Sequence, residues 1–121
     1  MLVDARNVLR SSWPNMQEQE VVDGCRTWAK ATGKRAVVVF DGSAPGGVLG
    51  EREIDDHCVV VGTGRESADE WIDRAAAELR MRASAYWLVT SDRELRDAAG
   101  NAAQRTIGGG TFARELRSLQ K

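Results

Sequence analysis

Four aspartates in this sequence have the type and placement that metal chemistry requires. Asp4 and Asp92 each follow a short apolar run, and Asp69 and Asp73 lie four residues apart in a segment with helical spacing. Residues four apart share one face of a helix, so the carboxylates can converge. Clustered negative charges need a cation or shifted pKa values, and oxygen donors suit Mg²⁺ or Mn²⁺. The chemistry of such a site is phosphodiester hydrolysis, in which the ions activate a water and stabilise the departing oxygen.

Each of these aspartates also has a purely structural interpretation. Aspartate is common in turns and at helix starts, and Asp69 would compensate a helix dipole as well as it would bind a metal. Asp41, which precedes a glycine after another apolar run, is more typical of a turn than of a ligand. Asp73 is harder to explain in this way, because a carboxylate four residues further along the same face has no capping purpose. The four aspartates therefore carry the hypothesis together.

Alternating strand and helix patterns would position these residues. Apolar runs predict strands at residues 1–4, 36–40, 58–61, 86–89 and 105–107. Between the second and third strands we expect a loop of about 16 residues from Asp41, which is long enough to indicate a functional or mobile segment. The alternation implies parallel strands with right-handed crossovers, hence an α/β three-layer sandwich. Ligands of such sheets bind beyond the carboxyl ends of the strands, where Asp4 and Asp92 lie.

Capping signals define the predicted helices. Asn15 is a candidate cap for a helix over residues 16–32, which Gly33 would end. Ser67 and Glu70 form a capping box that opens a helix over residues 67–82. A short helix is expected over residues 93–99. Thr111 is a candidate cap for a last helix that continues to residue 119.

Composition describes a globular chain with a near-neutral surface. Hydrophobic residues make up 42% and charged residues 29%, and the net charge is −1, so the molecule as a whole is not a basic nucleic-acid binder. No apolar run approaches the roughly 20 residues of a membrane span, and the first residues lack the order of a signal peptide. We expect one domain over residues 1–121, a cytoplasmic location and no membrane contact.

Cationic and aromatic residues near the aspartates are candidates for RNA contact. Arg6 and Arg10 follow Asp4, and Arg93 follows Asp92, so all three could reach phosphates beside a metal site. Trp13 could stack on an unpaired base, although a role in packing the first helix onto the sheet is slightly favoured. Arginines on exposed helix faces are routine, and we expect about half of such residues to touch only solvent.

Cysteine and histidine usage excludes other kinds of site. Cys25 and Cys58 lack CxxC spacing, and His57 is the only histidine. Neither a zinc site nor a histidine-based triad is supported by this inventory. We expect the two cysteines to be free thiols.

Five segments in chain order resemble the NYN domain family, including its YacP-like group within the PIN-like nucleases. Residues 3–8 resemble the opening V-D-G-x-N-V, and residues 38–42 resemble the second strand. Residues 67–72 resemble the A-D-x-x-I helix start, residues 89–95 the V-T-S-D segment, and residues 110–116 the C-terminal segment with A-x-E-L. Together with the alternating pattern, the resemblance predicts a mostly parallel five-stranded sheet with strand order 3-2-1-4-5.

The resemblance also implies an activity and its residues. It implies metal-dependent hydrolysis of RNA, with metal-ligand and catalytic roles for Asp4, Asp69, Asp73 and Asp92. It further implies that Asn7 positions the site or the substrate. Two departures from the family pattern are Ala5, where glycine is usual, and Glu94, where some NYN domains have a second aspartate. The roles of Asp41 and Glu94 stay open.

Two other functions also stay open. A non-catalytic RNA-binding NYN module would share the fold, although a surface built only for binding favours basic residues over clustered carboxylates. A phospho-acceptor receiver domain has parallel strands and clustered aspartates, but it expects a lysine after the fifth strand. Here no lysine lies between Arg35 and Lys121. RNA, single-stranded or structured, is the expected partner, with a ribosome or a regulatory protein as candidates to control activity.

Overall fold

A six-stranded sheet organises the chain in a computed structural model that describes residues 1–12 and 16–119. The strands are β1 (Leu2–Asp4), β2 (Ala36–Phe40), β3 (Gly50–Asp55), β4 (Cys58–Gly62), β5 (Trp87–Val89) and β6 (Arg105–Ile107). The helices are α1 (Ala5–Ser11), α2 (Glu18–Thr32), α3 (Ala68–Met81), α4 (Arg93–Leu95) and α5 (Gly109–Ser118), and a π-helical turn over Arg96–Gly100 continues α4.

The strand order is β3-β4-β2-β1-β5-β6. The five predicted strands have the predicted order, and all their pairings are parallel. Val3 of β1 lies opposite Val38 of β2 on one side and Val89 of β5 on the other. Asp4 therefore ends a central strand, at the same end of the sheet as the residues that follow β5.

The number of strands was predicted wrongly, because the expected loop after Asp41 contains β3. This edge strand pairs antiparallel to β4, with Glu51 opposite Val61 and Glu53 opposite Val59. Its side chains are almost all exposed, so the sequence has no apolar pattern there. Backbone pairing to β4 and not side-chain burial makes this segment a strand.

Helix α1 was not predicted either. Its cap is Asp4, whose side chain accepts a hydrogen bond from the N–H of Asn7, so the helix starts where β1 ends. Ala5 is the first helical residue and is fully buried, as is Val8. Ala5, where the family pattern has glycine, therefore lies in the first turn of a helix.

Other helix boundaries differ by a few residues. Helix α2 starts at Glu18 after a capping box made by Gln17 and Glu20, and Gly33 ends it in the left-handed conformation with φ 69°. The predicted cap Asn15 lies outside the described residues. Ser67 caps α3 as predicted, by accepting the N–H of Glu70 at 3.1 Å.

Helix α5 also starts before its predicted cap. Its cap position is Gly108, three residues ahead of the predicted cap Thr111, and Gly109 is the first helical residue. The predicted helix over residues 93–99 is α4 with its π-helical continuation.

The sheet separates two apolar layers. On one face, Val3, Val38 and Val60 pack with residues of α1, α2 and α5. On the other face, Val39 and Leu88 pack with residues of α3 and α4. This arrangement is the predicted three-layer sandwich.

Both cysteines are free and buried, as expected. None of the helices among the described residues has the length and apolar character that a bilayer crossing needs.

Candidate active site beyond the ends of β1 and β5

Asp4 is the most deeply buried carboxyl group of the site, with 5% of its surface exposed. One of its oxygens, Oδ1, accepts the N–H of Asn7 at 3.4 Å. The other, Oδ2, accepts the hydroxyl of Thr90 at 3.3 Å. Each oxygen therefore has a donor from the protein, and further lone pairs remain on both.

Asp92 lies two residues beyond the threonine that contacts Asp4. Its backbone N–H donates to the Thr90 hydroxyl oxygen at 3.1 Å. Its side chain caps α4 by accepting the N–H of Leu95 at 3.0 Å. Asp4 ends β1, and Asp92 follows β5, the neighbouring parallel strand. The side chain of Thr90 bonds to both residues, in agreement with their predicted positions at one end of the sheet.

A second set of hydrogen bonds connects the start of α1 with the loop after β5. The side-chain oxygen of Asn7 accepts the N–H of Ser91 at 2.8 Å, and the hydroxyl of Ser91 accepts the N–H of Gly109 at 2.8 Å. A Cβ atom on Gly109 would lie 2.2 Å from the side-chain oxygen of Asn7. Close backbone approach therefore explains this glycine, and Asn7 connects α1 with the loop after β5. A role of Asn7 in positioning the site or the substrate stays a prediction.

Burial and neighbouring charges raise the pKa of Asp4. Burial is the largest cause, the nearby carboxylates of Asp69 and Asp41 add to it, and the hydrogen bonds from Asn7 and Thr90 oppose it; the resulting pKa is about 6 against an ordinary value of 3.8. The charge of Asp69 thus reaches Asp4 although the two residues lie far apart in sequence. A group this perturbed is typical of a functional site.

Asp69 has the same kind of perturbation. Its pKa is raised first by burial and then by the charges of three other carboxylates, Asp92, Asp41 and Glu94, and Arg10 acts in the opposite direction. Asp92 and Glu94 therefore lie within electrostatic reach of Asp69. The opposite effect of Arg10 places its cation beside the acidic cluster.

Asp41 holds the start of α3. Its Oδ1 accepts the N–H of Ala68 at 2.7 Å, and its Oδ2 lies 3.5 Å from Nε of Arg6. The sequence favoured a turn role for Asp41, and the structure gives it a structural contact together with a charge that acts on Asp4 and Asp69. Its position after β2, which neighbours β1, is the signal that could have placed it at the site.

Three of the remaining predicted residues lie on the exposed surface of the protein. Asp73 is exposed on α3, and the largest charge effects on Asp69 come from other carboxylates. Arg6 and Arg93 are also exposed. Trp13 lies outside the described residues. Asp73 takes no part in the hydrogen bonds and charge effects described above for Asp4, Asp69 and Asp92, and its role stays a prediction.

The donor chemistry fits a hard divalent ion. Among residues 1–12 and 16–119, no group of three or more His, Cys, Asp or Glu side chains already has the geometry of a metal site. The groups that converge are carboxylates, and the pKa values of Asp4 and Asp69 are raised partly by their neighbours. A cation with a preference for oxygen would relieve that repulsion. Asp4, Asp69 and Asp92 are the residues that would hold it.

Comparison with known proteins places the chain in a family. No curated protein matches the sequence. The crystal structure of Rae1 (YacP) from Bacillus subtilis is similar, with a TM-score of 0.69 and 25% identity over 98% of this chain and 74% of that chain. A tryptophan-to-leucine mutant of the same Bacillus subtilis protein has a TM-score of 0.73 and 22% identity over 98% of this chain and 75% of that chain. The family model described as YacP-like NYN domain matches residues 1–121. The chain therefore belongs to the YacP-like NYN domain family, whose fold is that of PIN-like nucleases.

Proposed function

We propose that this protein is a metal-dependent endoribonuclease that hydrolyses RNA phosphodiester bonds. The observation that carries the proposal is the convergence of three carboxylates beyond the ends of β1 and β5. The Thr90 hydroxyl bonds to both Asp4 and Asp92, the charge of Asp69 raises the pKa of Asp4, and the charge of Asp92 raises the pKa of Asp69. Packing carboxylates together has a cost in free energy, and binding of a divalent ion would relieve it. Membership of a family with a nuclease fold supports the same activity.

The carboxylates have distinct places in this proposal. Asp4, Asp69 and Asp92 are the proposed metal ligands and catalytic residues, and Asp73 is the fourth candidate, one turn further along α3. When bound, Mg²⁺ or Mn²⁺ would supply positive charge beside the scissile phosphate and favour ionisation of a water. Asp4 contributes a side chain that two hydrogen bonds already orient.

Arginines around the cluster would hold the RNA backbone. Arg10 acts on Asp69, and Arg6 lies beside Asp41. Arg93 follows Asp92 and is exposed. Arginines beside the carboxylates can bind the phosphates that flank the scissile bond without displacing a metal ion. Trp13 stays a prediction for base stacking.

RNA, single-stranded or structured, is the proposed substrate class. A ribosome or a regulatory protein is the proposed kind of partner that would control access to it, and the cytoplasm is the proposed location.

Cleavage of labelled RNA tests the proposal. Purified protein is incubated with single-stranded or structured RNA in Mn²⁺, Mg²⁺ or EDTA. We expect internal cuts that need the metal, that are lost in Asp69→Asn and that remain in Asp23→Asn, a matched change at an exposed residue of α2. Tight RNA binding without cleavage under any of these conditions would replace the enzyme with a binding module.

A further inference from the structure

Thr90 is a fully buried polar residue between two of the proposed ligands. Its hydroxyl oxygen accepts the backbone N–H of Asp92 at 3.1 Å. The same hydroxyl donates its hydrogen to Oδ2 of Asp4 at 3.3 Å. A hydroxyl has one hydrogen to donate, so these two bonds give it a defined direction from the loop after β5 to the end of β1.

We propose that the Thr90 hydroxyl is a positioning group that sets the carboxylate of Asp4 and the backbone of Asp92 for joint metal binding. The inference rests on the proposed function and adds to it a residue that does not itself bind the metal. Groups that orient metal ligands commonly change metal affinity or activity about 10- to 100-fold when removed. The effect of Thr90 is expected in that range.

Two features separate this role from ordinary packing. The side chains of threonine and valine have similar volumes, because the hydroxyl takes the place of a methyl group, so packing alone does not require the hydroxyl in this buried position. The hydroxyl nevertheless reaches two groups from different strands, since Asp4 ends β1 and Asp92 follows β5. Without it, Oδ2 of Asp4 and the N–H of Asp92 would both lose their partner, and neither would be held relative to the other.

Variants that differ only in the hydroxyl test the proposal. Thr90→Ser keeps the hydroxyl and Thr90→Ala removes it, and both lack the methyl group. Thr90→Val keeps the volume, and Thr106→Val makes the same change on β6, two strands from β1. Mn²⁺ affinity is measured by binding titration, and cleavage is measured at saturating Mn²⁺.

The expected result is a clear division between the variants. Thr90→Ala and Thr90→Val should bind Mn²⁺ about 10- to 100-fold more weakly than wild type, whereas Thr90→Ser and Thr106→Val should stay within about threefold. Equal affinities for Thr90→Ala and Thr90→Ser would overturn the proposal. If Thr90→Val does not fold, the serine and alanine pair still decides.

A metal-free measurement separates this inference from the proposed function. Hydrogen exchange of the Asp92 amide, compared with the core amide of Val39, should speed up about tenfold in Thr90→Ala and stay near the wild-type rate in Thr90→Ser. An unchanged rate in Thr90→Ala would overturn the connection between Asp4 and Asp92. A wild-type protein that binds no Mn²⁺ and cuts no RNA would instead overturn the proposed function, and the exchange rates would still decide the role of Thr90.

Discussion

Arg6 on α1 lies with its Nε 3.5 Å from Oδ2 of Asp41, which follows β2. The other oxygen of that carboxylate accepts the N–H of Ala68 at 2.7 Å. One side chain therefore connects the helix after β1 with the helix that carries Asp69. Because Asp69 lies in the first turn of α3, the hydrogen bond between Asp41 and Ala68 helps to hold it in place.

Substitution of Asp41 should separate its capping role from its charge. Asp41→Ala removes the acceptor of the Ala68 N–H and should lower the free energy of unfolding by about 1 kcal/mol. Asp41→Asn keeps an oxygen acceptor and should stay near wild-type stability. Urea denaturation in EDTA measures both. Equal stability of the two variants would show that the cap contributes nothing.

Asp4→Asn should abolish cleavage and leave the metal-free protein at least as stable as wild type at pH 7. Folding raises the pKa of Asp4 from 3.8 to about 6, so the ionised form is disfavoured in the folded state. Wild-type stability is therefore fully present below pH 4 and falls as the pH rises through 6. The variant escapes that loss.

The size of the Asp4→Asn effect follows from two opposing contributions. The shift corresponds to at most about 3 kcal/mol, and the amide of asparagine faces one of the two hydrogen-bond donors, which removes part of the gain. We expect a net gain of about 1–2 kcal/mol at pH 7.5 and none at pH 4, measured by urea denaturation in EDTA. Wild-type cleavage by this variant would rule Asp4 out as a ligand.

Removal of an arginine should act on binding and not on metal chemistry. Arg6→Ala and Arg93→Ala should each weaken RNA binding in EDTA across sequences and lower its salt dependence by roughly one phosphate's share. Arg52→Ala, on the edge strand β3, is the matched control and should change neither quantity. Fluorescence anisotropy at several salt concentrations measures both quantities. A control that weakens binding as much as the other two would place the RNA elsewhere.

Asp73→Ala tests the one predicted ligand that is exposed in the structure. If Asp73 contributes to the metal site, turnover should be lost while RNA affinity in EDTA is unchanged or improved, because a negative charge near the phosphates is gone. Binding in EDTA and cleavage in Mn²⁺ are measured on the same preparation. Normal turnover would restrict the proposed ligands to Asp4, Asp69 and Asp92.

The sequence predicts the central sheet well because its strands are continuous apolar runs that are buried on both faces. The segments it misses follow other physical rules. β3 is held by backbone pairing at an edge and needs no apolar side chains. Asp4, the last residue of β1, also caps α1, so no turn residues separate the strand from the helix or mark the start of the helix.

The candidate site divides in the same way. Asp4 and Asp92 could be placed because parallel strands end together, and that rule needs no knowledge of contacts. Thr90 donates a hydrogen bond to Asp4, and Gly109 leaves room for the side chain of Asn7. Both contacts join segments that are distant in the sequence. Neither residue has a local pattern that reveals such a contact.

The charge alternation of β3 has a consequence for how two copies of the protein can meet. When two copies of β3 pair antiparallel and symmetrically, residues directly opposite each other point to the same face of the sheet. The symmetry axis therefore lies at one residue, which faces its own copy. Centring on Arg52 would set arginine against arginine and Glu51 against Glu53, and centring on either glutamate would set glutamate against glutamate. Like charges directly opposite one another are destabilising. Sheet extension between copies is therefore disfavoured in these three registers, which is one way in which charged side chains protect the edge of a sheet.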